Sequence, residues 1–239
     1  MKDEEILPSL KTNTSDYAVT AAKAVLGAIP FVGSLLAEVA GTIIPNQRID
    51  RVVKFASALE DHIAQIDKDF VRAQITNENF TDLLEEGIRQ AARSLSDERR
   101  QYLSSVIAIG LSSDDIEFFE SKHLLRILGE INDVEVIILR SYLVPTIGGD
   151  EEFREKHKGI IMQRPAYIGA PQEILDKTAL HTIYKEHLVS LGLLDRRYDT
   201  DIRTKEPRFD NFTGGLKISG YQITPLGRLL LRHIGLGEE

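Results

Sequence analysis

The chain has 239 residues, 42% of them hydrophobic and 28% charged, with no cysteine, no tryptophan and a formal net charge of -8. Those values fit a folded globular chain long enough for one large domain or two small ones, and they exclude disulfides, thiolate metal sites and cysteine nucleophiles. From Gln172 to the end ten Lys/Arg balance ten Asp/Glu, so the whole negative excess lies earlier and neither part supplies the concentrated positive field of a nucleic-acid binder.

The opening MKDEEILPSLKTNTSD is acidic and polar, whereas a secretory signal needs a basic start followed by an apolar run. A helix is expected next, capped by Thr14, Ser15 or Asp16 and carrying Val19, Ala22, Val25, Leu26 and Ile29 at helical spacing. Gly27 and Pro30 interrupt it, because proline lacks the N–H that an interior helix bond requires. A second helix is expected from about Phe31 to Ile43, with Leu35, Leu36, Val39 and Ile43 on one side and Pro45 and Asn46 after it. The uncharged run from Ala24 to Ala37 is shorter than the roughly 20 residues of a crossing helix. Extending it brings in Glu38, and a carboxylate at mid-bilayer costs on the order of 3 kcal/mol. The pair is therefore expected inside a bundle at rest. Leu26, Ile29, Phe31, Val32, Leu35, Leu36 and Val39 form its candidate interaction or membrane-active segment, which enters a bilayer only on triggering.

Ile49, Val52, Ala56, Leu59, Ile63, Ile66 and Phe70 then alternate in steps of three and four, a heptad seam predicting one long helix packed within a bundle. Asn77 is expected to cap a helix containing Phe80, Leu83, Leu84, Ile88 and Ala91. Ser96 caps the next, with Leu103, Val106, Ile107 and Leu111. Ser112 or Ser113 opens a third, through Ile116, Phe119, Leu124, Ile127 and Leu128 to Ile131. Asn132 or Asp133 opens a fourth that ends near Leu143. Arg99 and Arg100 read as a solvated helix face, and the acidic cluster Asp114, Asp115, Glu117 and Glu120 as charges favoured at a helix start.

From Val144 to Pro171 glycine and proline break the pattern, and a long loop is expected, with a short helix in EEFREKHKG and a short strand in GIIMQ. After Pro171 a helix runs from about Gln172 to Leu191, with Leu175, Ala179, Leu180, Ile183 and Leu188 as its apolar stripe and Gly192 as its stop. LLDRRY and LKISGYQIT read as extended segments around a polar loop. Thr224 and Pro225 start a last helix, PLGRLLLRHIG.

The segments HLVSLGLLD and ITPLGRLLLRHIG, with the hairpin between them, resemble a winged-helix domain over about Ile116 to Gly235. The resemblance implies a recognition helix offering Lys177, His181, Thr182 and Lys185, alongside the acids Glu173, Asp176 and Glu186. AIPFVGSLLAEV, LVSLGLLD and ITPLGRLLL together are similar in outline to bacterial helical proteins described as abortive-infection alpha. That resemblance implies a place in phage defence and carries no catalytic residues.

No signature of catalysis is found. The six histidines form no H-E-x-x-H pattern, no G-x-S-x-G is present, and GAIPFVG lacks the lysine of a phosphate loop. GGDEEF at Gly148–Phe153 is like a string of diguanylate cyclases, but there it sits on a β-hairpin among alternating strands that this sequence does not predict.

The expectation is a mainly α protein. Residues 1–111 form a helical bundle that includes the apolar Gly/Pro-broken pair. Residues 112–239 form a winged-helix-like module with a β-hairpin and a long insertion at about 144–171. Its expected role is non-enzymatic interaction in a bacterial defence or stress response, in the cytoplasm or at a membrane surface, with a winged-helix DNA-binding regulator as the alternative. A protein partner or self-association is expected, a membrane on triggering, no nucleic acid, no metal and no cofactor.

Overall fold

The computed structural model describes residues 48–64, 66–75, 77–111, 115–144, 149–162, 167, 169–211 and 214–237. The expected N-terminal helix pair, with Leu26, Ile29, Phe31, Val32, Leu35, Leu36 and Val39, lies outside them, as do the candidate caps Ser112 and Ser113. Among the described residues the chain is mainly helical, with ten helices and one antiparallel hairpin near the C-terminus. It divides into two compact units, Met1–Lys122 and His123–Glu239.

In the first unit α1 (Ile49–Ile63) lies against α3 (Glu78–Arg93) and α4 (Asp97–Leu111), and α3 and α4 also pack together. Its seam residues Ile49, Val52, Ala56, Leu59 and Ile63 are all buried, as is Phe55. The seam does not continue on one helix. The chain turns after Ile63 and restarts as α2 (Lys68–Ile75), leaving Ile66 half-buried and Phe70 exposed. Asp67 is the cause: its carboxylate accepts from the backbone N–H groups of Asp69 (3.1 Å) and Phe70 (2.9 Å), which caps a new helix.

Caps also set the next boundaries. Asn77 accepts from Asn79 N–H at 2.9 Å to open α3, and Ser96 accepts from Arg99 N–H at 3.1 Å to open α4. The predicted faces Phe80/Leu83/Leu84/Ile88/Ala91 and Leu103/Val106/Ile107/Leu111 are buried throughout. Arg100 is not on a solvated face. It is 5% exposed, because its guanidinium donates to the Ser94 carbonyl at 3.1 Å and to the Asp97 carboxylate. Arg100 thereby satisfies a carbonyl at the end of α3.

The division between units falls within α5 (Asp115–Glu130). On this helix Phe118 is buried and Phe119, an expected apolar position, is 64% exposed, the two rings meeting edge to face at 5.5 Å. Leu124, Ile127 and Leu128 are buried as expected.

The second unit continues with α6 (Asp133–Ser141), opened by a reciprocal capping box. The Asn132 side chain accepts from Glu135 N–H at 3.0 Å, and the Glu135 carboxylate accepts from Asn132 N–H at 2.8 Å. The expected loop carries α7 (Glu151–Lys156) and α8 (Lys158–Ile161). GIIMQ is therefore not a strand: Ile160 and Ile161 donate to the His157 carbonyl at 2.9 and 3.0 Å and close a helical turn. A short apolar run is ambiguous between strand and helix, and only a neighbouring strand could have extended it. Both strands of the described sheet pair with each other.

Then α9 (Gln172–Ser190) leads through Gly192, at φ +72°, into β1 (Leu194–Tyr198), which pairs antiparallel with β2 (Ile218–Ile223). Between them Thr200 bridges to Pro207 and Phe209 to Leu216, so the polar stretch is itself folded back. Asp199 pairs with Lys217 at 3.0 Å, and Asp201 with Arg208 at 3.2 Å. Thr224 then caps α10 (Pro225–His233) by accepting from Gly227 N–H at 3.0 Å. Gly227 lies so close to the end of α9 that a Cβ there would sit 2.4 Å from the Leu193 carbonyl oxygen.

Candidate functional site

Helix α9 is turned the opposite way from its sequence expectation. Ile174, Thr178, His181, Lys185 and Leu188 recur every three or four residues on its covered side, and of these Leu188 is fully buried. The expected stripe is outside: Leu175 is 38% exposed, Leu180 50% and Ile183 60%, with Ala179 exposed between them. Leu188 alone of the predicted stripe lies inside.

A cavity of about 250 Å³ opens on the inner side of α9. His181 and Lys185 line it from α9, Ile138, Ser141 and Tyr142 from α6 and its C-terminal end, Arg154 from α7, and Ile161 from α8. Among the described residues every charged group in that lining is a cation.

Each side chain is placed by identifiable bonds. Arg154 donates to three carbonyls, those of Gly149 (3.2 Å), Ser141 (3.3 Å) and Val144 (2.7 Å), which fastens α7 beside the end of α6. Arg140 reinforces the join through Asp150 at 2.6 Å and lies over the Phe153 ring at 5.1 Å. The Ser141 hydroxyl donates to the Ile138 carbonyl at 2.6 Å, so only its lone pairs face outward. His181 bonds the backbone of Ile160. Lys185 Nζ sits 5.5 Å from the Tyr221 ring centroid, and that ring meets Tyr142 edge to face at 6.4 Å.

The acids nearby are engaged elsewhere. Glu186 binds Arg196 and accepts from Tyr221 O–H at 2.7 Å, and Glu135, 2% exposed, meets His187 Nδ1 at 2.6 Å. Among the described residues Lys185 has no carboxylate partner and the Tyr142 hydroxyl no hydrogen bond. Burial pulls the Lys185 ammonium below its usual range. Burial and then the charge of Lys185 push the His181 imidazole down, against the opposing bond to Ile160. Tyr142 is raised by burial, and Tyr221 is pushed up to about 12 by burial and its bond to Glu186.

Of the four residues expected on a recognition helix, the cavity brings together His181 and Lys185. Lys177 is exposed and paired with Glu173 at 2.6 Å, and Thr182 donates to the Thr178 carbonyl at 2.9 Å. Sequence reasoning passed over Tyr142 and Arg154. They sit beyond α6 and within the expected insertion, where no local pattern ties them to α9. Phe153 of the GGDEEF string lies on α7, a helix rather than a hairpin. Among the described residues no three His, Asp or Glu side chains are grouped to hold a metal ion, and no helix is long and apolar enough to cross a membrane. Comparison with protein-family models, with curated proteins and with solved structures gave no match.

Proposed function

We propose that this protein is a non-enzymatic interaction module of a bacterial defence or stress response, and that it binds another protein chain through the outer face of α9. The observation that carries this reading is the inverted helix. Leu175, Ala179 and Ile183 follow one another at four-residue intervals, Leu180 flanks them, and all four meet solvent. Apolar anchors at that spacing, rimmed by Glu173, Asp176 and Lys177, suit a helix laid into an apolar groove or against a second helix. A second copy of the chain can supply that surface. The order α6, α9, hairpin, α10 also suits a winged-helix arrangement. In the DNA-reading alternative α9 would present cations to phosphates, but Lys185 and His181 line the inner cavity and the outer face is apolar. The apolar stretch from Ala21 to Pro45 is the second contact surface on this reading, for a membrane on triggering.

Light scattering across a concentration series tests the central claim. The wild type is expected to self-associate, and the Leu180→Asp/Ile183→Asp double variant to remain monomeric with an unchanged circular dichroism spectrum. Association that is equal in both proteins would remove α9 from the interface. Tight, salt-sensitive binding to mixed DNA duplexes would favour the regulator instead.

A further inference from the structure

The cavity beneath α9 has a use that protein docking on the outer face does not explain. A helix of a small unit ordinarily turns apolar side chains inward, because taking them out of water stabilises the fold. Here two exposed aliphatic residues, Leu180 and Ile183, stand opposite an inward histidine and lysine. Covering a lysine without a carboxylate partner is costly unless an anion arrives to meet it.

We infer that this cavity binds a small organic oxyanion, a molecule carrying one phosphate or carboxylate group on a compact apolar body. Lys185 Nζ is the principal donor, and the Tyr142 hydroxyl is a second that no described side chain engages. Arg154 adds positive charge while its bonds to three carbonyls hold it still, so the site is preorganised. His181 gives its ring N–H to the Ile160 backbone, and its other nitrogen, a lone-pair acceptor in the neutral ring, can take a hydrogen bond from a ligand hydroxyl but not from the anionic oxygens. Ser141, whose proton goes to the Ile138 carbonyl, can accept from a ligand hydroxyl. Ile138 and Ile161 supply apolar wall for the organic part. A cavity of about 250 Å³ admits such a molecule and excludes a folded partner. Among the described residues no acidic side chain lines the cavity to repel the anion.

The test is an NMR titration of the full chain with inorganic phosphate, phenyl phosphate and benzoate at matched ionic strength. Saturable shifts are expected at the amides of Tyr142, His181 and Lys185, with phenyl phosphate or benzoate binding more tightly than inorganic phosphate. The benzoate and phenyl phosphate arms distinguish a carboxylate ligand from a phosphate ester. Lys185→Met keeps the methylene stem and should weaken the better organic probe by about tenfold, the worth of one charge-assisted hydrogen bond. Tyr142→Phe should weaken it less, and Lys177→Met, on the outer side of the same helix, should leave it unchanged. Absence of saturable binding by the folded wild type for all three probes would overturn the assignment. So would equal affinity in Lys185→Met. Neither result bears on self-association through Leu180 and Ile183.

Discussion

Helices α1 and α9 carry apolar residues at similar spacing and use them in opposite ways. In α1 the periodic residues Val52, Ala56 and Leu59 are fully buried against two neighbouring helices. In α9 the periodic residues Leu175, Ala179 and Ile183 meet solvent, while His181 and Lys185 turn inward. Periodicity therefore fixes that a segment is helical. Which face packs depends on what the other elements offer. Helix α1 meets the apolar faces of α3 and α4. Helix α9 packs on α6 and β1, and across the cavity it faces Tyr142, Arg154 and Ile161.

The sharpest break of this contrast is Leu59→Ala. It should destabilise the first unit by about 2–5 kcal/mol through the cavity left behind, read as a lowered denaturation midpoint. Ile183→Ala, a truncation of similar size on the exposed face of α9, is its counterpart. Gly227→Ala comes second in size. Its added methyl meets the Leu193 backbone oxygen, which cannot swing aside as a side-chain tip can, so a loss of about 1–3 kcal/mol in the second unit is expected by the same measurement.

In the second unit, alkaline titration probes the hydrogen bond by which Tyr221 of β2 holds Glu186 of α9. Tyr221 is pushed from its ordinary 10.0 to about 12 by burial and by its bond to Glu186, with Tyr142 opposing and Arg196 favouring its ionisation. Lys185 lies over its ring. A phenol whose folded pKa is raised contributes stability that is complete below pH 10 and fades as pH rises towards 12. Denaturation of Tyr221→Phe should show a shallower decline across that window than the wild type. At neutral pH the same variant should lose about 1 kcal/mol for the missing hydrogen bond. Smallest of all, Ile183→Ala should change stability by no more than about 0.5 kcal/mol, since the residue is 60% exposed. A loss comparable with that of Leu59→Ala would mean that the outer face is covered in the isolated chain.

Much of the fold was legible because the signals were local. Asn77, Ser96, Asn132 and Thr224 each cap the helix they were expected to open, and Gly192 takes the left-handed turn that ends α9. The break after Ile63 was missed because Ile66 and Phe70 keep the heptad spacing, and Asp67 was the overlooked signal. Arg100 was misplaced because the carbonyl it satisfies belongs to the preceding helix end. The candidate site was half legible. His181 and Lys185 were expected on a recognition helix implied by the winged-helix resemblance, not in a cavity, and the wrong side of that helix was taken as the apolar one. Their partners Tyr142 and Arg154 come from elements brought close only by folding.

Thr224 is a clasp between two helices. Its hydroxyl donates to the Gly192 carbonyl at 2.6 Å while accepting from Gly227 N–H, and its backbone N–H donates to the Leu193 carbonyl at 3.1 Å. One residue thus fastens the end of α9 to the start of α10 and closes the base of the hairpin whatever happens at its tip. Chain inserted into a loop closed in this way costs little, about 0.6 kcal/mol for each doubling of length. The turn around Thr204 and Lys205 is therefore a graft point, where a fluorophore tag or foreign peptide can be carried on the surface while the clasp keeps the helices in register.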